Sequence, residues 1–286
     1  SGKRKRVLTM AESDSNSFVS IHFSADSKFL ITQGGAPDYQ LSYWNWDKGR
    51  VIASIRSSPG GQRINEVSIS PQDPSLVCVI GDAVFKLYRM QEGQFKTVPS
   101  QLSKMQAAGG QQQNYLTHCW LTCDRMVVCC ESGDILLFDN SGEFKMVLPC
   151  SPGDIRAALC VTPWSKGFVT GGESSMVRVF ERSEDPKEMF KKTKEIQAQA
   201  TRTMIDPADL SIVGVSAVSA SSSREGDKTE MSIPGQGIGS DEILGVAISS
   251  SQLVQMSLSS NDLMKSEDAP QIENVMGCAF HNGSVT

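Results

Sequence analysis

The chain has 286 residues, 39% hydrophobic and 21% charged, enough apolar content for a large core. Its net charge of -5 argues against a nucleic-acid binder, which is basic or carries a strong basic stripe. No apolar run approaches the roughly 20 residues of a membrane helix, and no apolar stretch follows the basic N-terminal residues as a secretory signal requires.

From the N-terminus, Ser1-Gly2 reads as an expression remnant and is set aside. Lys3-Arg4-Lys5-Arg6 is the sharpest basic run. Continued by Val7-Leu8-Thr9-Met10, it reads as a charged edge strand over Lys3 to Met10; a nuclear signal is the other reading.

A repeated unit then follows: an apolar strand, a small polar turn, a second apolar strand, a Gly/Asp turn, a third strand with an aromatic residue, and a less regular fourth. The first copy runs Phe18 to Phe23, Lys28 to Thr32, Gln40 to Trp46 and Arg50 to Ile55. The second uses Ile64 to Ile69, Leu76 to Ile80 and Ala83 to Tyr88. The third uses Tyr115 to Leu121, Met126 to Cys130 and Ile135 to Asp139. The fourth uses Ile155 to Val161, Gly167 to Thr170 and Met176 to Phe180; Asp185 to Ala200 is either a helix or an outer strand at Lys192 to Ile196. The fifth is blurred: strands are expected at Thr201 to Ile205, Leu210 to Ser216 and, after an insertion, Gln252 to Leu258. A sixth begins at Ile272 to Phe280.

Ser24, Ser70, Thr122, Thr162, Asp206 and His281 are taken as equivalent turn positions. Most recur at about 40–50 residues, against the ~40–45 of a four-stranded propeller blade. Two insertions stretch the period, Pro99 to Gln113 and Ser219 to Glu242; their Gly-, Ser- and Gln-rich composition is that of linkers. A sheet with two apolar faces must stack on its neighbours, so the expected fold is all-β: a β-propeller of WD-repeat type, with about five blades plus partial terminal blades. Residues 3–286 form the propeller piece, as a partial ring, and 219–242 a flexible insertion. An open ring would leave apolar faces in water and favour association.

No residues stand out as catalytic, cofactor-binding or metal sites. The three histidines, His22, His118 and His281, lie in or beside first strands and read as structural. Asp26, Asp73 and Asp124 recur once per repeat, as turn-forming residues do. His118-Cys119 and Cys123 are three candidate zinc ligands without a fourth, and strand alternation scatters them over two faces. Pro59-Gly60-Gly61 lacks the Lys-Ser/Thr of a phosphate loop, and Gly235 to Gly239 sits in the polar insertion, not after a strand. Most of the eight cysteines fall in apolar runs and there is no C-x-x-C pair, which points to a reducing compartment. Trp44, Trp46, Trp120 and Trp164 read as blade packing, with Trp44 and Trp46 on one face.

Ser24-x-Asp26, Tyr43-Trp44-Asn45-Trp46 and Val177-Arg178-Val179-Phe180-Glu181 resemble degenerate WD repeats. A closer resemblance lies in Phe18-Val19-Ser20-Ile21-x-Phe23-Ser24-x-Asp26-Ser27-Lys28, Tyr43-Trp44-x-Trp46 and Val67 to Asp73. Phe85-Lys86-Leu87, Gln113-Asn114-Tyr115-Leu116-x-His118 and Ser165-Lys166-Gly167-Phe168 extend it in order. Over roughly Lys3 to Glu188 these islands resemble the N-terminal propeller of the cilia- and flagella-associated protein 57 family; beyond Thr193 the resemblance weakens, and the Ser219 to Glu242 insertion departs from it. The resemblance implies a non-catalytic axonemal adaptor, with tandem propellers before a long coiled coil, that helps dock inner-arm dyneins on doublet microtubules. It implies protein partners, no cofactor, no membrane and no nucleic acid. The other reading is an interaction subunit of another cytosolic or nuclear assembly, in ribosome biogenesis or a vesicle coat.

Overall fold

The computed structural model describes residues 7–9, 13–99, 113–148, 156–185, 187–198, 206–219, 242–250, 252–258, 263–268, 280–281 and 284–285. Five four-stranded antiparallel sheets follow one another along the chain, as expected. The first holds β1 (Phe18–Phe23), β2 (Leu30–Gly34), β3 (Gln40–Asn45) and β4 (Arg50–Arg56). The second holds β5 (Ile64–Ile69), β6 (Leu76–Gly81), β7 (Val84–Gln91) and β8 (Gln94–Val98). The third holds β9 (Tyr115–Leu121), β10 (Arg125–Cys130), β11 (Ile135–Asp139) and β12 (Phe144–Leu148). The fourth holds β13 (Ala158–Trp164), β14 (Gly167–Gly172), β15 (Met176–Arg182) and β16 (Phe190–Gln197). The fifth holds β17 (Ile212–Ser219), β18 (Glu242–Ile248), β19 (Gln252–Ser257) and β20 (Leu263–Asp268). A hairpin of β21 (Phe280–His281) and β22 (Ser284–Val285) follows. Two compact units result, residues 1–116 with 138–144, and 117–137 with 145–286.

Within each unit apolar faces of neighbouring sheets pack together. In the first, Ile31, Leu41 and Tyr43 pack on Val67 and Ile69 of the second sheet. In the second unit, Phe168 and Phe180 of the fourth sheet, stacked at 4.6 Å, face Leu121, Val127 and Leu137 of the third. Val169, Val177 and Val179, on the opposite face, pack on Val215, Leu244 and Val246 of the fifth. Period-2 alternation between two apolar sets produces this arrangement directly.

Four first strands share an irregularity that the sequence does not announce. Each skips one residue near its start: at Phe18/Ser20, Ile64/Glu66, Ala158/Cys160 and Ile212/Gly214. Such bulges bend the strand and increase its twist. Beside two of them a glycine ends the second strand. A Cβ on Gly81 would lie 2.1 Å from the Arg63 carbonyl oxygen, and one on Gly172 2.1 Å from that of Ala157, so the backbones approach too closely for any side chain.

Several expected boundaries change. Val7, Leu8 and Thr9 are not in a strand, and the rest of the expected Lys3–Met10 edge, apart from those three, lies outside the described residues. Thr162 sits inside β13, so the fourth turn falls at Ser165-Lys166. Asp206 precedes β17 and caps a one-turn 3-10 helix (Pro207–Asp209), accepting from the Ala208 amide at 2.9 Å. In the fifth sheet β17 is the first strand in the order; Thr201 to Ile205, expected as a strand, lies outside the described residues. Ser219 and Glu242 are paired strand ends, so the insertion joins the first and second strands; residues 220–241 are outside the described ones, as are 100–112. An insertion between the first and second strands, not after the second as expected, leaves the ladder intact. His281 pairs within β21 and is not a turn residue, and 272–279 are not described. Asp185 to Ala200 yields the outer strand β16, longer than Lys192 to Ile196. Alternation from exposed to half-buried along it excludes a helical stripe.

The strand equivalence makes a stability prediction. Ile69 is 1% exposed and its counterpart Phe23 is 49% exposed; likewise Val67 is 1% and Ile21 56% exposed. Ile69→Ala is expected to cost about 2–4 kcal/mol. Ile21→Ala is expected to cost less than about 1 kcal/mol. Urea unfolding of both variants checks this, and equal losses would show that Ile21 is covered.

Candidate functional site

The residue types that carry chemistry are spent on local structure. In the first turn the Ser24 hydroxyl donates to Asp26 Oδ1 at 2.7 Å and accepts from the Phe29 amide at 2.9 Å. Asp26 also accepts from the Lys28 amide at 3.1 Å. The Ser24 bond first, then the Lys28 contacts, hold its carboxyl down at about 2 against an ordinary 3.8. In the second turn Asp73 accepts from the Ser75 amide at 3.0 Å and pairs with Arg89. Burial would raise Asp73, but Ser75 and Arg89 outweigh it and leave it below its ordinary value. Asp124 occupies the third turn at φ 56, a left-handed conformation that Asp tolerates. Each Asp belongs to its own sheet.

The histidines are likewise separated. His22 Nδ1 accepts from the Ile69 amide at 3.4 Å, and Ser20 Oγ exchanges bonds with Val67 N and O at 3.2 and 3.3 Å, tying β1 to β5. His118 is buried in β9 and His281 lies in β21, so the three occupy three sheets. His118, Cys119 and Cys123 form no metal-binding group; no cluster of three or more His, Cys, Asp or Glu suited to a metal occurs among the described residues. Cys78, Cys119, Cys129 and Cys130 are buried free thiols, and Cys123 and Cys160 half-buried ones. Burial, with Asp134 nearby, pushes Cys130 up to about 12, away from nucleophilic thiolate character.

The tryptophans are structural donors. Trp44 is 1% exposed and its indole donates to Thr32 Oγ1 at 2.9 Å. Trp46 lies in the turn beyond β3, donates to the Ser27 carbonyl at 2.7 Å and meets Phe23 edge-on at 5.8 Å. Trp164 donates to the Phe180 carbonyl at 3.2 Å, with Lys166 Nζ 5.7 Å from its ring centroid.

What stands out is a surface. β1 leaves Phe18, Val19, Ile21 and Phe23 exposed, at 39 to 56%. The counterparts of Ile21 and Phe23 in β9, Cys119 and Leu121, are buried at 7% and 2%. An apolar strand surface of this kind supports association through burial, not bond-making chemistry. No sequence signal distinguishes it, because β1 carries the same apolar pattern as β5. Among the described residues no helix is long and apolar enough to cross a membrane.

Two consequences are measurable. Thr32→Val strands a buried indole N–H and is expected to cost about 1–3 kcal/mol, while Trp44→Phe in the same protein is expected to recover part of that cost. A thermal-unfolding double-mutant cycle measures the coupling. Asp26 contributes stability above its ordinary 3.8 that is lost as pH falls toward about 2. Because the carboxylate is exposed, that contribution is below about 1 kcal/mol. Ser24→Ala is expected to move the Asp26 titration, followed by carboxyl NMR, up toward 3.8.

No family model matches the chain. It is 38% identical over 141 residues to mouse (Mus musculus) cilia- and flagella-associated protein 57, covering 49% of this chain and 11% of that protein. It is 28% identical over 290 residues to cilia- and flagella-associated protein 57 A of Tetrahymena thermophila, covering 99% of this chain and 20% of that protein. Protein 57 C of the same organism is 25% identical over 228 residues, covering 59% of this chain and 17% of that protein. The chain therefore spans a fifth or less of the length of these curated relatives. Among solved structures, the β-propeller domain of Myceliophteria thermophila Cps50 (Swd1) superimposes with a TM-score of 0.65. The match covers 93% of this chain and 77% of that one at 12% identity, a likeness of fold alone. With five four-stranded sheets in succession, this is a β-propeller chain of WD-repeat type, similar to cilia- and flagella-associated protein 57 along almost its whole length.

Proposed function

We propose that this chain is part of a non-catalytic scaffold of the ciliary axoneme, which helps dock inner-arm dyneins and neighbouring complexes on doublet microtubules. The observation that carries the reading is the similarity over 99% of the chain to a protein named for its association with cilia and flagella. The structure supports the scaffold part. Asp26, Asp73 and His22 are engaged in turns and inter-sheet bonds, the described histidines are dispersed over three sheets, and the conspicuous surface is apolar. In this reading residues 3–286 serve as one propeller piece, with 219–242 an insertion on it. Its partners are proteins, and nucleic acid, membrane and cofactors play no part.

The test is tagging of the full-length protein in a ciliated cell, followed by detergent extraction of isolated cilia and cross-linking. Retention in the extracted axoneme, with inner-arm dynein chains among the cross-linked partners, is expected. Release with the detergent-soluble fraction would overturn the axonemal reading. Recovery with ribosome precursors or vesicle coats would replace it with the other assembly. Retention with cross-links only to other axonemal proteins would keep the location and remove the dynein.

A further inference from the structure

The connection between β2 and β3 holds a short segment that precedes β1. Asp38 Oδ2 accepts from the Ser13 hydroxyl at 2.9 Å and from the Asp14 amide at 3.0 Å. Ser13 Oγ accepts in turn from the Ser15 amide at 3.2 Å. Further along, the Ser15 hydroxyl donates to the Ser17 carbonyl at 2.8 Å, and the Gly35 amide donates to that same carbonyl at 2.9 Å. The fit is close: a Cβ on Gly35 would lie 2.8 Å from Ser17 Oγ, and one on Gly34 3.1 Å from Ser15 Oγ. Residues 13–17 are thus fastened at Asp38 and at Gly35 without belonging to a strand.

The fastening at Asp38 is sensitive to charge. Asp38 is 6% exposed, and its Oδ1 is buried with no hydrogen-bond partner among the described residues. No lysine or arginine among those residues forms an ion pair with it. Its two partners are neutral donors, and a buried carboxylate that lacks a cation is destabilised by a second negative charge beside it. Ser13 is the residue through which such a charge can come. It is half-buried in an irregular stretch, between Glu12 and Asp14 in sequence. A serine between acids suits a kinase whose substrate cleft is basic.

We propose that Ser13 is a phosphorylation site, and that phosphate there opens the latch between Asp38 and residues 13–17. In the transfer, Ser13 Oγ bonds to the γ-phosphorus of a nucleoside triphosphate as the bond from that phosphorus to the β-phosphate oxygen breaks. The hydroxyl proton passes to the base of the kinase, and the nucleoside diphosphate leaves. Ser13 then has no proton to donate to Asp38, and it carries a group of charge roughly -1.5 to -2 beside that carboxylate. Both changes favour release. The segment runs directly into β1, the strand with exposed apolar side chains, so opening the latch frees the chain at one end of that surface. The site is independent of the ciliary assignment, which concerns location and assembly.

The full chain is incubated with ATP and an acid-directed serine kinase, the modified residues are mapped by mass spectrometry, and amide hydrogen exchange is followed by NMR. Phosphate on Ser13 is expected, with exchange of the Asp14 and Gly35 amides accelerated at least about tenfold. The Asp82 amide, which donates to the Arg63 carbonyl at 2.8 Å, is the control and is expected to change less than about twofold. Ser13→Glu is expected to act in the same direction. Ser13→Ala loses the hydrogen bond without adding charge and is expected to accelerate exchange less. Asp38→Asn offers the phosphate an amide donor, and phosphorylation in that background is expected to accelerate exchange less than about threefold. Circular dichroism establishes that each variant is folded; if Asp38→Asn is not, the comparison of Ser13→Glu with Ser13→Ala decides. No phosphate on Ser13, unchanged exchange once it is phosphorylated, or equal acceleration in Ser13→Glu and Ser13→Ala would overturn the proposal. So would full acceleration in the Asp38→Asn background, because the charge of Asp38 would then not be what responds.

Discussion

A four-stranded antiparallel sheet with apolar side chains on both faces cannot satisfy itself. The fourth sheet shows the constraint most clearly. Phe168 and Phe180 are buried against the third sheet, while Val169, Val177 and Val179 are buried against the fifth. Neither set can be desolvated by folding of the sheet alone, so each repeat depends on neighbours that depend on theirs. The hydrophobic effect thus acts between repeats, and hydrogen bonding within them fixes register.

The polar groups follow from that division. The middle strands β2 and β3 are buried, so the polar side chains they carry need partners: Trp44 finds Thr32, and Gln33 meets the Ser57 hydroxyl at 2.9 Å. Turn residues reach the repeat's own backbone, as Ser24 and Asp26 do. Asp26, Asp73 and Asp124 are each committed to the turn of a different sheet. Under the scaffold function proposed above, a protein of this construction acts by holding other proteins.

Two surfaces of opposite character result from position in a sheet. β1 is a first strand with an aliphatic and aromatic pattern, and its exposed side chains favour contact through dehydration. β16 is a fourth strand, alternating exposed and half-buried residues, with its charge spread over both faces by one skipped residue. Outer strands tolerate such composition because only one of their two edges is needed for the ladder.

The amino-acid sequence by itself determined the strands, their grouping in fours and the type of turn, because these depend on local alternation and on short polar residues bonding their own backbone. Phe18 to Phe23, Ile64 to Ile69 and the Ser24-x-Asp26 turn were legible for that reason. The fifth repeat was misplaced because an apolar run such as Leu210 to Ser216 carries no mark of whether it is a first or a second strand; only its partner decides, and β17 pairs with a strand more than twenty residues away. The recurrent skipped residue, and the close approach that requires Gly81 and Gly172, arise between strands and leave no periodic trace. The exposure of Ile21 and Phe23 beside the burial of Val67 and Ile69 was decided by tertiary structure alone. Both strands carry the same pattern, and whether a face is covered depends on what packs there, which is a property of the neighbour and not of the strand.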